Sequence, residues 1–195
     1  MQKAALQGYS GKDLAVPRIQ NQQKLLVLSD THGRIKILEA VLNWAEAQEI
    51  RAAVFLGDGL DDFSCKAALN FNAGWKKVRG NGDFFSTFPE LDTLDFGEKR
   101  FFLCHGHRYS PYSNFKMLAE AARSVNADAA LFGHLHVPVL QKEGNILLIN
   151  PGSIGRPRSS AGSTFAVIDC VPDKPINTQF YKVDSTGKID PAVLR

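Results

Sequence analysis

Several things are scarce in this chain of 195 residues, and each scarcity narrows what it can be. Cysteine occurs three times, as Cys65, Cys104 and Cys170, far apart and in or near apolar runs. That pattern argues against a disulfide scaffold and for reduced, partly buried thiols, so a cytoplasmic location is expected. No apolar run approaches the roughly 20 residues that span a bilayer, which excludes a helical membrane protein. Charge of one sign is also missing: 23 Lys and Arg against 20 Asp and Glu leave a formal net charge of +3. The basic residues are scattered, and their densest cluster, WKKVRG, fits a solvated strand edge better than a nucleic-acid footprint. A stable nucleic-acid partner is therefore not expected. Residues 1–23 are polar, rich in Gln and Gly and broken by Pro17, and they contain no apolar stretch of the kind a secretory signal needs. They read as an extension, either a mobile tail or an arm that packs on a neighbour in a homo-oligomer.

An apolar fraction of 44% with 22% charged residues provides a full core, and residues 24–195 are expected to form a single domain. KLLVLSD reads as a strand buried on both faces, AAVFLGD as a second strand and WKKVRGN as a third, shorter one, separated by helices. In the first helix Ile35, Leu38, Leu42 and Ala45 fall at helical spacing, with Val41 and Trp44 widening the stripe. Asp61 is a plausible cap for the second helix. Strand, helix, strand, helix, strand in this order implies a parallel α/β sheet with right-handed crossovers. After Thr93, TLDFGEKRFFLCHG reads as a hairpin, and Pro111 and Ser113 open a helix carrying Phe115, Leu118, Ala119 and Ala122 on one face. ADAALFGH is another buried strand, PVLQKEGNILLINPGS a further hairpin, and STFAVIDC and NTQFYKVDS two last strands. The second half thus reads as a second sheet.

Histidine is scarce too, and its placement carries the function. All five lie in three short segments, LSDTHG, LCHGHR and LFGHLH, each just after an apolar run. VFLGDG around Asp58 and VRGNGD around Asn81 have the same form. The carboxyl ends of strands in an open α/β sheet are where ligands bind. The residues delivered there are Asp30, His32, Asp58, Asn81, His105, His134 and His136. Hard oxygens mixed with imidazole nitrogens make a ligand set for two divalent metals, and Asp58, flanked by glycines, is the natural bridge. Two such ions can lower the pKa of a shared water and clamp a phosphoryl group.

D-x-H, G-D, G-N, G-H and G-H-x-H, in this order over residues 30–136, resemble the calcineurin-like metallophosphoesterase superfamily. The small size, GNGD and INPGSIGRPR are more similar to its compact bacterial and archaeal phosphodiesterase branch. The resemblance implies a β-sandwich of two mixed sheets flanked by helices. It also implies a phosphoester small-molecule substrate attacked by a hydroxide that bridges two metals, manganese first, with nickel, iron or zinc as other occupants. One ion would be held by Asp30, His32, Asp58 and His136, the other by Asp58, Asn81, His105 and His134. Asp58, Asn81 and His105 would then serve catalysis directly. Asp83 is expected at the substrate or at a metal-bound water and Arg108 beside the substrate; His107 is expected either beside the substrate or behind His105, supporting the ligands. Relatives place His or Cys after G-N; this chain has Gly82 there, which removes one source of a proton for the leaving group.

Two rival readings have weaker support. The retromer complex has a non-catalytic scaffold subunit of this fold whose metal motifs are altered, but here both Asp58 and Asn81 are kept. A mononuclear iron oxygenase with two histidines and one carboxylate explains three of the seven residues. Arg34, Arg156 and Arg158 read as solvated surface.

Overall fold

The computed structural model describes residues 24–194, so the expectation for residues 1–23 lies outside the described part. Among the described residues eleven strands form two mixed sheets, and three α-helices lie outside them. β1 (Lys24–Leu28), β2 (Ala52–Phe55) and β3 (Gly74–Lys77) run parallel, connected through α1 (Ile35–Ala47) and α2 (Lys66–Asn70). β9 (Ser163–Asp169), β10 (Asn177–Val183) and β11 (Ile189–Ala192) extend this sheet antiparallel, in the order β11-β10-β9-β1-β2-β3. The second sheet has the order β4-β5-β6-β8-β7. Its parallel centre is β5 (Lys99–Cys104), β6 (Ala129–Leu131) and β8 (Ile146–Pro151). β4 (Leu91–Phe96) and β7 (Pro138–Glu143) are its antiparallel edges, and α3 (Lys116–Ser124) packs on its outer face.

Strand periodicity sorts the core into three layers. Leu25, Val27, Val54, Phe101, Leu103 and Leu131 point between the sheets. Their neighbours Leu26, Leu28, Ala53 and Phe55 point outward against Leu38, Val41, Leu42 and Ala45 of α1. Phe102, Ala130 and Leu148 meet Leu118, Ala119 and Ala122 of α3 on the other side. Truncating Leu118, which is fully buried, to alanine belongs to a class of change that costs roughly 2–5 kcal/mol. Among the described residues, no helix is long and apolar enough to cross a membrane.

Three local expectations are corrected. Ile35 opens α1 and is 40% exposed, so the buried stripe starts at Leu38. Asp61 does not cap α2. It lies inside a 3-10 turn, Leu60–Ser64, and Cys65 occupies the cap position. The helix expected from Pro111 begins at Lys116, because Ser113 N–H closes a turn on the Ser110 carbonyl and Asn114 Oδ1 accepts the Lys116 N–H at 3.0 Å. The last strand, β11, is not evident from the sequence; Pro191 lies within it, on the edge of the sheet, where a missing N–H costs no ladder bond.

Candidate metal centre

The parallel strands of both sheets end at the same place, and all five histidine- or carboxylate-bearing loops meet there. Asp30 and His32 follow β1, Asp58 follows β2 and Asn81 follows β3; His105 follows β5, and His134 and His136 follow β6. Asp30 and His105 are fully buried, and Asp58 and His136 are each 6% exposed.

The side chains fall into two groups. Asp30 Oδ1 lies 3.0 Å from His136 Nε2 and 3.6 Å from His32 Nε2, and the two imidazole nitrogens are 3.2 Å apart. Donor atoms around one first-row ion with bonds of about 2.1 Å stand roughly 3.0–3.4 Å from one another, so this triangle has the size an ion requires. The second group is Asp30, Asp58 and His105, with His105 Nε2 at 3.5 Å from Asp58 Oδ2 and 4.0 Å from Asp30 Oδ1. Asp58 Oδ2 also lies 3.9 Å from His32 Nε2, so one carboxylate oxygen faces a histidine of each group. Asn81 and His134 line the adjoining cavity, and His134 belongs to neither tight group.

Hydrogen bonds fix which atoms point inward. His105 Nδ1 donates to the Leu56 carbonyl and His136 Nδ1 to the Arg156 carbonyl, each at 2.7 Å, which leaves both Nε2 lone pairs facing the centre. Asp30 Oδ2 accepts the Ser29 hydroxyl at 2.6 Å and the His134 N–H at 3.1 Å, turning Oδ1 inward. Asp30 Oδ1 and His105 Nε2 are then buried without any hydrogen-bond partner. Buried polar atoms are rarely left unpaired, and a metal ion would satisfy both at once. The field is suited to a cation as well. Burial alone would raise the Asp30 pKa, but the close imidazoles of His136 and His32, with His105 nearby, hold the carboxyl well below the usual range. Burial likewise works to raise Asp58, and the close His105 imidazole, with the Gly82 N–H, outweighs it; the net direction is down. His105 shows the reciprocal effect: burial pulls it down, and Asp58 and Asp30 carry it above the ordinary imidazole value.

The backbone is shaped for the same task. Asp30, His32, Asp58, His134 and His136 all have positive φ, between 42° and 68°. Half of the described non-glycine residues with positive φ are thus site residues, in a conformation that Asp and His tolerate only at a cost. Gly82 approaches from the other side: its N–H donates to Asp58 Oδ1 at 2.6 Å, and a Cβ there would stand 3.0 Å from that oxygen.

Two expected contacts are taken up elsewhere. Both Asp83 oxygens are occupied by backbone: Oδ2 accepts the N–H groups of Asp58 and Gly80, and Oδ1 those of Gly59 and Leu60, all at 2.8–2.9 Å. Asp83 ties the Asp58 loop to the Asn81 loop. Asp62, which does not stand out in the sequence, does the same for the Asp30–His32 loop, accepting the Thr31 hydroxyl at 2.6 Å and the Gly33 N–H at 2.8 Å. Arg108 turns away from the cavity, its guanidinium gripping both Glu90 oxygens at 2.7 and 3.0 Å. His107 is half-buried behind the ligands, its ring 5.6 Å from that of His105 and 6.2 Å from that of His134. The cavity, about 450 Å³, is lined instead by Arg156, Pro157 and Arg158 opposite His32, Asp58, Asn81, His134 and His136. Only the chain's return after β8 brings those arginines in, which their distance along the sequence conceals.

A sandwich of two mixed sheets with these five loops at one end is the arrangement expected from the motifs, and the sequence profile of the calcineurin-like phosphoesterase superfamily domain matches residues 24–173. The chain belongs to that superfamily. It is 30% identical over 168 residues to phosphodiesterase YfcE of Escherichia coli, covering 75% of this chain and 87% of that protein. A predicted phosphoesterase from Streptococcus pneumoniae, 31% identical, superposes with a TM-score of 0.69 over 82% of this chain and 89% of its own. The zinc complex of Vps29 from Entamoeba histolytica superposes with a TM-score of 0.69 over 87% and 97% of the two chains; at 20% identity this likeness shows the fold alone. Membership makes the calcineurin-like chain a hydrolase of phosphoesters that uses divalent metal.

Proposed function

We propose that the protein is a dinuclear phosphodiesterase. The observation that carries this reading is the pair of buried, unpartnered atoms, Asp30 Oδ1 and His105 Nε2, converging with His32, His136 and Asp58. One ion would be held by Asp30, His32, Asp58 and His136, and a second by Asp58, His105, Asn81 and His134. Two divalent ions supply a water of lowered pKa and neutralise charge growing on the phosphoryl oxygens.

The chain's own groups do the rest. The Leu56 and Arg156 carbonyls fix the tautomers of His105 and His136, so the donor atoms need no reorganisation. The Gly82 N–H holds one Asp58 oxygen and leaves the other turned to His32 and His105. Gly82 offers no proton to a departing alkoxide, so leaving groups that depart as stable anions are favoured. The cavity, about 450 Å³, lies within the usual size of a small-molecule site and so has volume for a diester. Manganese is the first metal to try, with nickel, iron and zinc next, since mixed oxygen and nitrogen ligands discriminate weakly. The scaffold reading leaves the unpartnered atoms and the arginine-lined cavity without a purpose.

The test is hydrolysis of bis(p-nitrophenyl) phosphate and p-nitrophenyl phosphate by the manganese-loaded chain, with metal counted by mass spectrometry. Two ions per chain and faster diester than monoester turnover are expected. A chain that retains no metal, or one that prefers the monoester, overturns the reading.

A further inference from the structure

The segment after β8 runs along the rim of the cavity, and its sequence explains its shape. Pro157 fixes its own φ and biases Arg156 toward extended backbone, where side chains two residues apart share a face. Arg156 and Arg158 both line the cavity. The segment is latched to a metal ligand through its backbone. The Arg156 carbonyl accepts the His136 Nδ1–H at 2.7 Å, and the Arg158 N–H donates to the His136 carbonyl at 2.9 Å. A third bond, from the Arg156 N–H to the Ser153 hydroxyl at 2.8 Å, sets where the segment starts. Arg158 is also held through its side chain: its guanidinium donates to the Tyr112 hydroxyl at 2.6 Å, and that hydroxyl donates to the His134 carbonyl at 3.2 Å.

Charge makes the second point. Arg51, Arg79, Arg100 and Arg108 each pair with a carboxylate, whereas Arg156 and Arg158 have no carboxylate partner among the described residues. Two divalent ions on the carboxylates of Asp30 and Asp58 leave two positive charges, which a hydroxide and the single charge of a phosphodiester cancel. Two guanidiniums remain in the same hollow with nothing to balance them, and guanidinium is the side chain best matched to phosphate or carboxylate oxygens.

We propose that Arg156 and Arg158 form a second anion subsite, so that the preferred substrate is a phosphodiester bearing a further phosphate or carboxylate beside the scissile group. The substrate class rests on the phosphodiesterase reading; the anion subsite rests only on the two ions and the two arginines. Thymidine 5′-(p-nitrophenyl phosphate) and its 3′-phosphorylated form share a scissile bond and a leaving group and differ by one added phosphate. With the manganese-loaded full chain at low salt, kcat/KM is expected to be at least tenfold higher for the 3′-phosphorylated ester. The double substitution Arg156→Gln, Arg158→Gln is expected to bring that ratio near unity; both side chains are exposed, so the fold is not at stake. Equal kcat/KM for the two esters in the unaltered chain, or an undiminished ratio in the double variant, overturns the subsite. If neither ester is hydrolysed the phosphodiesterase reading fails, and binding still decides the subsite. Calorimetry of thymidine 3′,5′-bisphosphate with the manganese-loaded chain is then expected to show affinity that the double variant weakens at least tenfold. No binding, or equal binding by both proteins, overturns it.

Discussion

Replacing Asp83 with asparagine changes almost no volume and removes one of two acceptor oxygens. Each oxygen holds two backbone N–H groups: Gly59 and Leu60 on Oδ1, Asp58 and Gly80 on Oδ2. Whichever way the amide turns, its NH₂ faces two donors with donors of its own. Hydrogen bonds to a charged acceptor are each worth roughly 1.5–3 kcal/mol, so losing two bounds the damage at about 3–6 kcal/mol. Asp83 is only half-buried, so water recovers part of this and a net loss of about 2–4 kcal/mol is expected. For a domain of this size that lowers Tm by roughly 4–15 °C. The loss reaches function because the same bonds hold Asp58 beside Asn81, so metal affinity is expected to fall together with stability. Circular dichroism melts of the metal-free protein and metal content by mass spectrometry check both, and Asp83→Ala is expected to be no milder. A variant that melts within about a degree of the unaltered chain and keeps its metal, yet turns over a hundredfold more slowly, would refute this reasoning and return Asp83 to the substrate.

Two further substitutions test the centre. Asp58→Asn is expected to empty both metal positions, because Asp58 Oδ2 faces a histidine of each group, whereas His136→Ala is expected to empty mainly one; metal per chain distinguishes them, and equal losses contradict the bridge. Gly82→His is expected to speed alkyl leaving groups relative to nitrophenolate by up to about a hundredfold. The new Cβ would press on the Asp58 carboxylate from 3.0 Å, so metal content must be measured first; equal responses of both leaving-group classes with metal retained would show that position 82 does not serve a general acid.

The candidate ligands were legible because each sits at a fixed place in the pattern, a strand followed within a few residues by Asp, Asn or His. Strand direction then carries every such end to one edge, and two sheets with parallel centres do this twice. What depended on side-chain direction was not legible. Arg108 is three residues from His105 in the chain and yet turns to Glu90, while Arg156 and Arg158, twenty or more residues past the last ligand, line the cavity. Asp83 looks like a further functional carboxylate by type, and Asp62 does not stand out at all, yet each is used up by backbone or hydroxyl donors of neighbouring loops. Helix starts failed where a side chain outcompeted the expected cap, as Asn114 does ahead of α3.

The left-handed backbone at Asp30, His32, Asp58, His134 and His136 bears on how this chain was selected. Each such residue costs on the order of 1 kcal/mol, and five together weigh against a whole-domain stability of roughly 5–15 kcal/mol. Glycine or asparagine would relieve that strain wherever a side-chain ligand was not needed. A lineage that had given up hydrolysis and lived only by docking to partners would gain stability with every such replacement, and mutation supplies them freely. Histidine or aspartate at all five places holds five left-handed backbone positions against a standing thermodynamic incentive to let them go.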